Sequence, residues 1–145
     1  MIRYILFALA LSVLTSTPSF AEESPTKALL AAAENTKEVE GADPNAVLLI
    51  MWSAHWCEPC KIDEPFVRAF AKREGWTFVY INTDDEQTRS LRAKFDITGM
   101  PTYHVFSSGT LVERVNFGRY KTDGSDAEER VNARFARTKR KLPKP

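Results

Sequence analysis

Apolar residues along this chain gather into short runs, each closed off by glycine, proline or a cluster of charges. The densest run, Ala46 to Trp52, is apolar at nearly every position and predicts a central strand covered on both faces. From Glu58 to Arg73 the period changes: Ile62, Phe66, Val67, Phe70 and Ala71 recur at helical spacing and mark one buried stripe, and Gly75 ends the segment. Pro65 falls inside this helix, where its missing N–H is expected to produce a kink. Thr77 to Ile81 reads as a second strand, and Asp84 to Lys94 as a helix anchored by Leu91 and Phe95. Thr102–Phe106 and Thr110–Val115 flank Ser107-Ser108-Gly109, which is a hairpin pattern. Ser125-Asp126 opens a last helix with Val131, Phe135 and Leu142 facing inward. Upstream, Ser24-Pro25 caps a helix from Thr26 to Val39 that Gly41 stops, and Asp43-Pro44-Asn45 is a turn. The resulting order, α-β-α-β-α-β-β-α, predicts an α/β fold with a central mixed four-stranded sheet flanked by helices. Its β-α-β half pairs in parallel through a right-handed crossover, and the closing hairpin adds antiparallel strands.

The N-terminal residues do not belong to that pattern. Met1-Ile2-Arg3 gives a positive start, Tyr4 to Leu14 is uncharged and mostly apolar, and Ser19-Phe20-Ala21 supplies small residues for a signal peptidase. Cleavage after about Ala21 is expected, leaving one domain over residues 22–145. An uncleaved membrane anchor is the other reading, but the apolar stretch is short against the roughly 20 residues a bilayer needs. Removing residues 1–21 removes Arg3 and no acid, so the remaining 19 basic residues balance 19 acidic ones. Nothing in that balance points to nucleic acid. The charge is polarised, however: no acid follows Glu129, whereas Arg130, Arg134, Arg137, Lys139, Arg140, Lys141 and Lys144 do. The plain reading is a solvated helix end whose cations suit its C-terminal dipole; contact with a partner or a membrane surface is the alternative.

The chemistry concentrates at Trp56-Cys57-Glu58-Pro59-Cys60, which holds the only two cysteines of the chain. They lie between a strand and a helix, so one sulfur falls at a helix N-terminus, where N–H groups and the dipole favour thiolate. The second lies one turn on, within reach of a disulfide. A bridge closing so small a loop constrains the unfolded chain little, so a structural staple is poorly motivated and a redox pair is favoured. An exported chain would meet an oxidising compartment, expected to be the periplasm.

With these residues in view the chain resembles the thioredoxin superfamily. The resemblance rests on strand, Trp56-Cys57-x-Pro59-Cys60-Lys61 and helix; on Pro65 five residues later; on Gly99-Met100-Pro101-Thr102 before a strand, similar to the family's cis-proline loop; and on Gly118 after the last strand. It covers about residues 46–120. The resemblance implies a thioredoxin-like fold and a thiol–disulfide oxidoreductase acting on protein disulfides. Cys57 would be the nucleophile and Cys60 the resolving thiol, with the backbone around Met100 and Pro101, and Gly118, lining the substrate groove. It also implies a membrane-bound electron donor in that compartment. No cofactor and no metal are expected, and no dimerisation region is seen, so the reading is a monomer.

Two departures from the family bear on mechanism. The carboxylate that thioredoxins bury in the strand before the site is replaced by Met51, and its lysine partner by Tyr80. Asp63, three residues after Cys60, stands on the same helical face and is the expected substitute for proton exchange. That acid after Trp-Cys-Glu-Pro-Cys resembles the membrane-facing reductases of cytochrome c maturation, which carry glutamate there and an insertion for which this chain is short. Lys61 and the helix end should lower the Cys57 pKa and Glu58 should raise it, a balance that leans toward a reductase. Trp56 is expected to pack beside the site and shield it, and Trp52 and Trp76 to be core or edge aromatics. His55 reads as an exposed loop histidine, or as a tuner of the thiolate; His104 reads as structural or surface. The competing functions are an oxidase or isomerase on the same residues, a copper- or zinc-handling protein using Cys57, Cys60 and the histidines, and a non-catalytic binding module.

Overall fold

The computed structural model describes residues 39–40, 47–116 and 124–144. The leader, the helix predicted to begin at Thr26, the turn at Asp43 and the groove glycine Gly118 lie outside these residues. Among the described residues five strands form one sheet in the order β1-β3-β2-β4-β5. They are β1 (Val39–Glu40), β2 (Leu48–Ser53), β3 (Thr77–Asn82), β4 (Thr102–Ser107) and β5 (Thr110–Val115). Among the described residues the helices are α1 (Glu58–Glu74), α2 (Glu86–Lys94) and α3 (Ala127–Lys139).

The expected four-stranded mixed sheet is present as β3-β2-β4-β5. β2 and β3 pair in parallel, and β2–β4 and β4–β5 pair antiparallel. The fifth strand corrects the sequence reading. Val39, expected to end a helix, pairs antiparallel with Val79, and Glu40 with Phe78. The open edge of β3 offers ladder hydrogen bonds, and a β-branched residue fits a pleated surface better than a helix end.

Alternation along the strands sorts side chains to two faces. Leu49, Met51, Phe78, Tyr103 and Val105 face α1 and α3, where they meet Val67, Phe70, Val131 and Phe135. Leu48, Ile50, Trp52, Val79, Ile81 and Phe106 form the opposite layer with Leu91 and Ile97. β2 is buried at every position, as its unbroken apolar run requires of a strand covered on both sides. α1 runs through Pro65 as one element and ends at Gly75, whose φ of 67° is the left-handed conformation that glycine adopts without a Cβ penalty.

Polar contacts fasten α3 and the residues just after it to α1 and β5. Arg73 Nη2 donates to Asn132 Oδ1 at 2.9 Å, and Lys139 Nζ reaches Glu74 Oε2 at 2.5 Å. Arg134 and Lys141 converge on Glu113 of β5 at 2.9 and 2.7 Å. Burial pushes the Glu113 carboxyl up, but hydrogen bonds from Lys141 and Thr138 and the charges of Arg134 and Lys141 outweigh it and hold it below its ordinary value.

His104 is a core residue. Its ring lies among Trp52, Phe95 and Phe106, and its Nδ1 accepts from Trp52 Nε1 at 3.2 Å. Burial, aided by the Arg114 charge, lowers its pKa from 6.5 to about 4. The neutral form is therefore the folded form. Above pH 6.5 neither state carries the proton and stability is full; as pH falls toward 4 the unfolded chain gains it first. We expect this group alone to remove up to about 3 kcal/mol over that interval. NMR titration of the imidazole checks this: its midpoint should fall near pH 4, and a midpoint near its ordinary value would refute the assignment.

Candidate active site

The right-handed crossover from β2 through α1 to β3 brings the start of α1 to the C-terminal edge of the sheet. Cys57 occupies the N-cap position, and the Cys60 N–H donates to Cys57 Sγ at 3.3 Å. Pro59 sits within the first turn, where a missing N–H leaves no intrahelical bond unmade. The two sulfurs are joined in a disulfide with Cα atoms 5.3 Å apart. Cys57 is 2 % exposed and Cys60 1 %, so both are buried in the disulfide form.

Asp84 holds the loop that leads into the cysteine pair. Asp84 Oδ2 accepts the His55 N–H at 2.8 Å and Oδ1 accepts Trp56 Nε1 at 3.3 Å. Asn82 fixes Asp84 in turn by accepting its N–H at 3.1 Å, while Asn82 Nδ2 lies 2.6 Å from His55 Nε2. Trp56 does not pack down as a shield: it stands 66 % exposed, tethered by its indole N–H. His55 is exposed, as the loop reading expects. Sequence reasoning missed Asn82 and Asp84, because their partners are 27 to 29 residues away.

The two charges flanking the cysteines neutralise each other. Lys61 Nζ lies 2.5 Å from Glu58 Oε1, both exposed. The Cys57 sulfur itself lies at the N-terminus of α1, where backbone N–H groups point. Beneath the pair, Met51 and Tyr80 are register partners on β2 and β3. Met51 is buried, and Tyr80 turns its hydroxyl to Ser53 Oγ at 2.9 Å. Met51, Ala54, Tyr103 and both cysteines belong to one apolar cluster, against which Met100 packs. The Met100–Pro101 bond is cis and Pro101 is buried. Thr83 Oγ1 lies 3.4 Å from Met100 Sδ and donates to Ser53 O at 3.0 Å.

Asp63 is 0 % exposed, and the structure gives it partners the sequence did not suggest. Arg130 of α3 holds it in a two-pronged contact, Nη2 to Oδ1 at 2.8 Å and Nη1 to Oδ2 at 3.1 Å, and Tyr103 Oη donates to Oδ2 at 3.1 Å. This arrangement makes Asp63 a clasp between α1, α3 and β4 one turn behind Cys60. Gly124 closes the same corner: a Cβ there would lie 2.8 Å from Ile62 Cγ2, and its φ of +69° also suits glycine alone. His104 lies on the opposite face of the sheet from the sulfurs. Among the described residues, no three His, Cys, Asp or Glu side chains come together as a metal-binding group.

A helix-capping disulfide at the C-terminal edge of such a sheet, beside a cis-proline loop, defines a thioredoxin-like site. The thioredoxin family model matches residues 25–126, and the chain belongs to the thioredoxin family. Thioredoxin H2 of Arabidopsis thaliana is 29 % identical over 73 residues, which is 50 % of this chain and 54 % of that protein. Thioredoxin of Porphyra purpurea is 39 % identical over 71 residues, 48 % of this chain and 64 % of that one. The X-ray structure of Fasciola hepatica thioredoxin shares the fold with a TM-score of 0.51 at 24 % identity, over 75 % of this chain and 90 % of that chain. The chain spans between about half and three fifths of the length of the first curated relatives it matches.

Removing one member of a buried ion pair leaves the other charge uncompensated. Arg130→Met should therefore destabilise the fold by about 3–5 kcal/mol, and Asp63→Asn combined with Arg130→Met by clearly less. Urea denaturation of the three proteins tests this; equal losses in the single and double variants would show that the clasp is not held by charge.

Proposed function

We propose that this chain is an exported thiol–disulfide oxidoreductase that reduces disulfides in protein substrates. The observation that carries the reading is the Cys57–Cys60 disulfide capping α1. In the reduced form the helix N-terminus favours thiolate at Cys57. That thiolate attacks one sulfur of the substrate disulfide; a mixed disulfide forms, and the other substrate sulfur leaves as thiolate and takes a proton. Cys60 then gives up its proton and attacks the Cys57 sulfur, releasing the second substrate sulfur and restoring the internal disulfide. Two electrons and two protons pass to the substrate in each cycle.

The direction of transfer follows from how weakly the reduced form is supported. Glu58 cancels Lys61, and the floor beneath the sulfurs is apolar at Met51. A thiolate with little stabilisation beyond the helix end leaves the disulfide comparatively favoured, which makes the dithiol a reductant. The backbone at Met100 would take up an extended substrate segment, with exposed Trp56 as its apolar wall. Cleavage after about Ala21 would release residues 22–145 into the periplasm as a monomer, where a membrane-bound donor would re-reduce the pair.

Equilibration of the purified protein in a glutathione redox buffer should give a potential near that of thioredoxin, about −270 mV, and a value near about −120 mV would make it an oxidant instead. A Cys60→Ser variant should accumulate mixed disulfides through Cys57; failure to trap any substrate while the wild-type pair stays oxidised in dithiothreitol would end the redox reading. Mass spectrometry of protein recovered from the periplasm should find a chain beginning at Glu22.

A further inference from the structure

Near the active-site edge of the sheet, Asn116 and one side of α3 enclose a groove of about 280 Å³ lined by Asn116, Arg130, Ala133, Arg134 and Arg137. Three of its five lining residues are arginines, spaced so that they follow one face of the helix. The groove starts beside the substrate loop. Asn116 Oδ1 accepts Thr102 Oγ1 at 2.9 Å, and Thr102 follows Pro101 directly. From there it runs along α3, away from the cysteines.

The carboxylates near these arginines are already engaged. Asp63 and Asp126 lie against Arg130, and Glu113 is shared by Arg134 and Lys141. Arg137 spends its Nε–H on the carbonyl of Ala133, and no carboxylate among the described residues lies within salt-bridge distance of it. Arg134 Nε and Glu113 Oε2 are both buried without a hydrogen-bond partner among the described residues, so that pair is joined through Arg134 Nη2 alone. Among the described residues the exposed Arg137 therefore carries a positive charge in the groove with no carboxylate beside it. Planar guanidinium groups match carboxylates in geometry as well as in charge.

We propose that this groove is a specificity site for acidic side chains flanking the disulfide of a protein substrate. The inference rests on the reductase reading above and adds the substrate class: disulfides followed within a few residues by Asp or Glu. A segment extended across Met100 would pass Thr102 and Asn116 and place its next acidic residues against Arg134 and Arg137. Charge complementarity of this kind acts mostly on the encounter and on the choice of partner.

The test uses three disulfide-bridged peptides of one length, with Glu, Gln or Lys residues flanking the bridge. The pre-reduced protein passes two electrons and two protons to each, and the second-order rate constant is measured at low and high salt. The Glu peptide should react about tenfold faster than the Lys peptide at low ionic strength, with the Gln peptide between them, and salt should narrow the spread. Arg137→Glu, a change at an exposed side chain, should abolish or invert that order. Arg89→Glu on α2, with the same change in net charge, should leave it intact. Equal rates for the three peptides would overturn the inference alone, as would an Arg89→Glu effect as large as that of Arg137→Glu. No reduction of any peptide would overturn the reductase reading and this site with it.

Discussion

A sulfur atom occupies the position that Ser, Asp or Asn usually takes at the start of a helix. Cys57 caps α1, its Sγ receives the Cys60 N–H, and the same sulfur is covalently joined to Cys60. Everything around the site serves to keep that helix end at the sheet edge. β2 delivers the chain there from a fully buried position, the Asp84–Asn82 pair holds the loop between strand and helix, and Asp63 with Arg130 locks the second turn of α1 to α3. The cap thus makes a helix terminus into a place where charge can develop on sulfur.

The surroundings of the pair are arranged by cancellation. Glu58 and Lys61 spend their charges on each other, and Asp63 spends its charge on Arg130. At the positions where Met51 and Tyr80 meet, an apolar side chain and a hydroxyl bonded to Ser53 replace an ionisable pair. The sulfurs are left in contact with an apolar cluster and at the N-terminal end of the α1 dipole.

Much of the fold could be read from local pattern. The apolar run into Trp52, the 3.6-residue stripe from Ile62 to Ala71 and the Ser108-Gly109 turn each carry their own signal, and each element formed where that signal lies. Val39 went astray because helical propensity competed with an open strand edge far along the chain. The site divided in the same way. The cysteines and Pro101 announce themselves by spacing, whereas Asp84 acts across 28 or 29 residues and Arg130 across 67, distances over which periodicity says nothing. His104 shows the same gap: a polar residue in a strand gave no hint that three aromatic rings and a tryptophan N–H would enclose it.

Among the described residues β5 is the outermost strand on its side of the sheet, and its last residues before Asn116 include Glu113 and Arg114. An outer strand carries backbone donors and acceptors that a second chain could adopt as a template. Any newcomer would have to lie beside a carboxylate already bound by two cations and a guanidinium held by the carbonyl of Asp96, on a ladder bent by the irregularity at Val105/Phe106. Charged side chains and a register shift on an outer strand work against the addition of a further strand from another molecule.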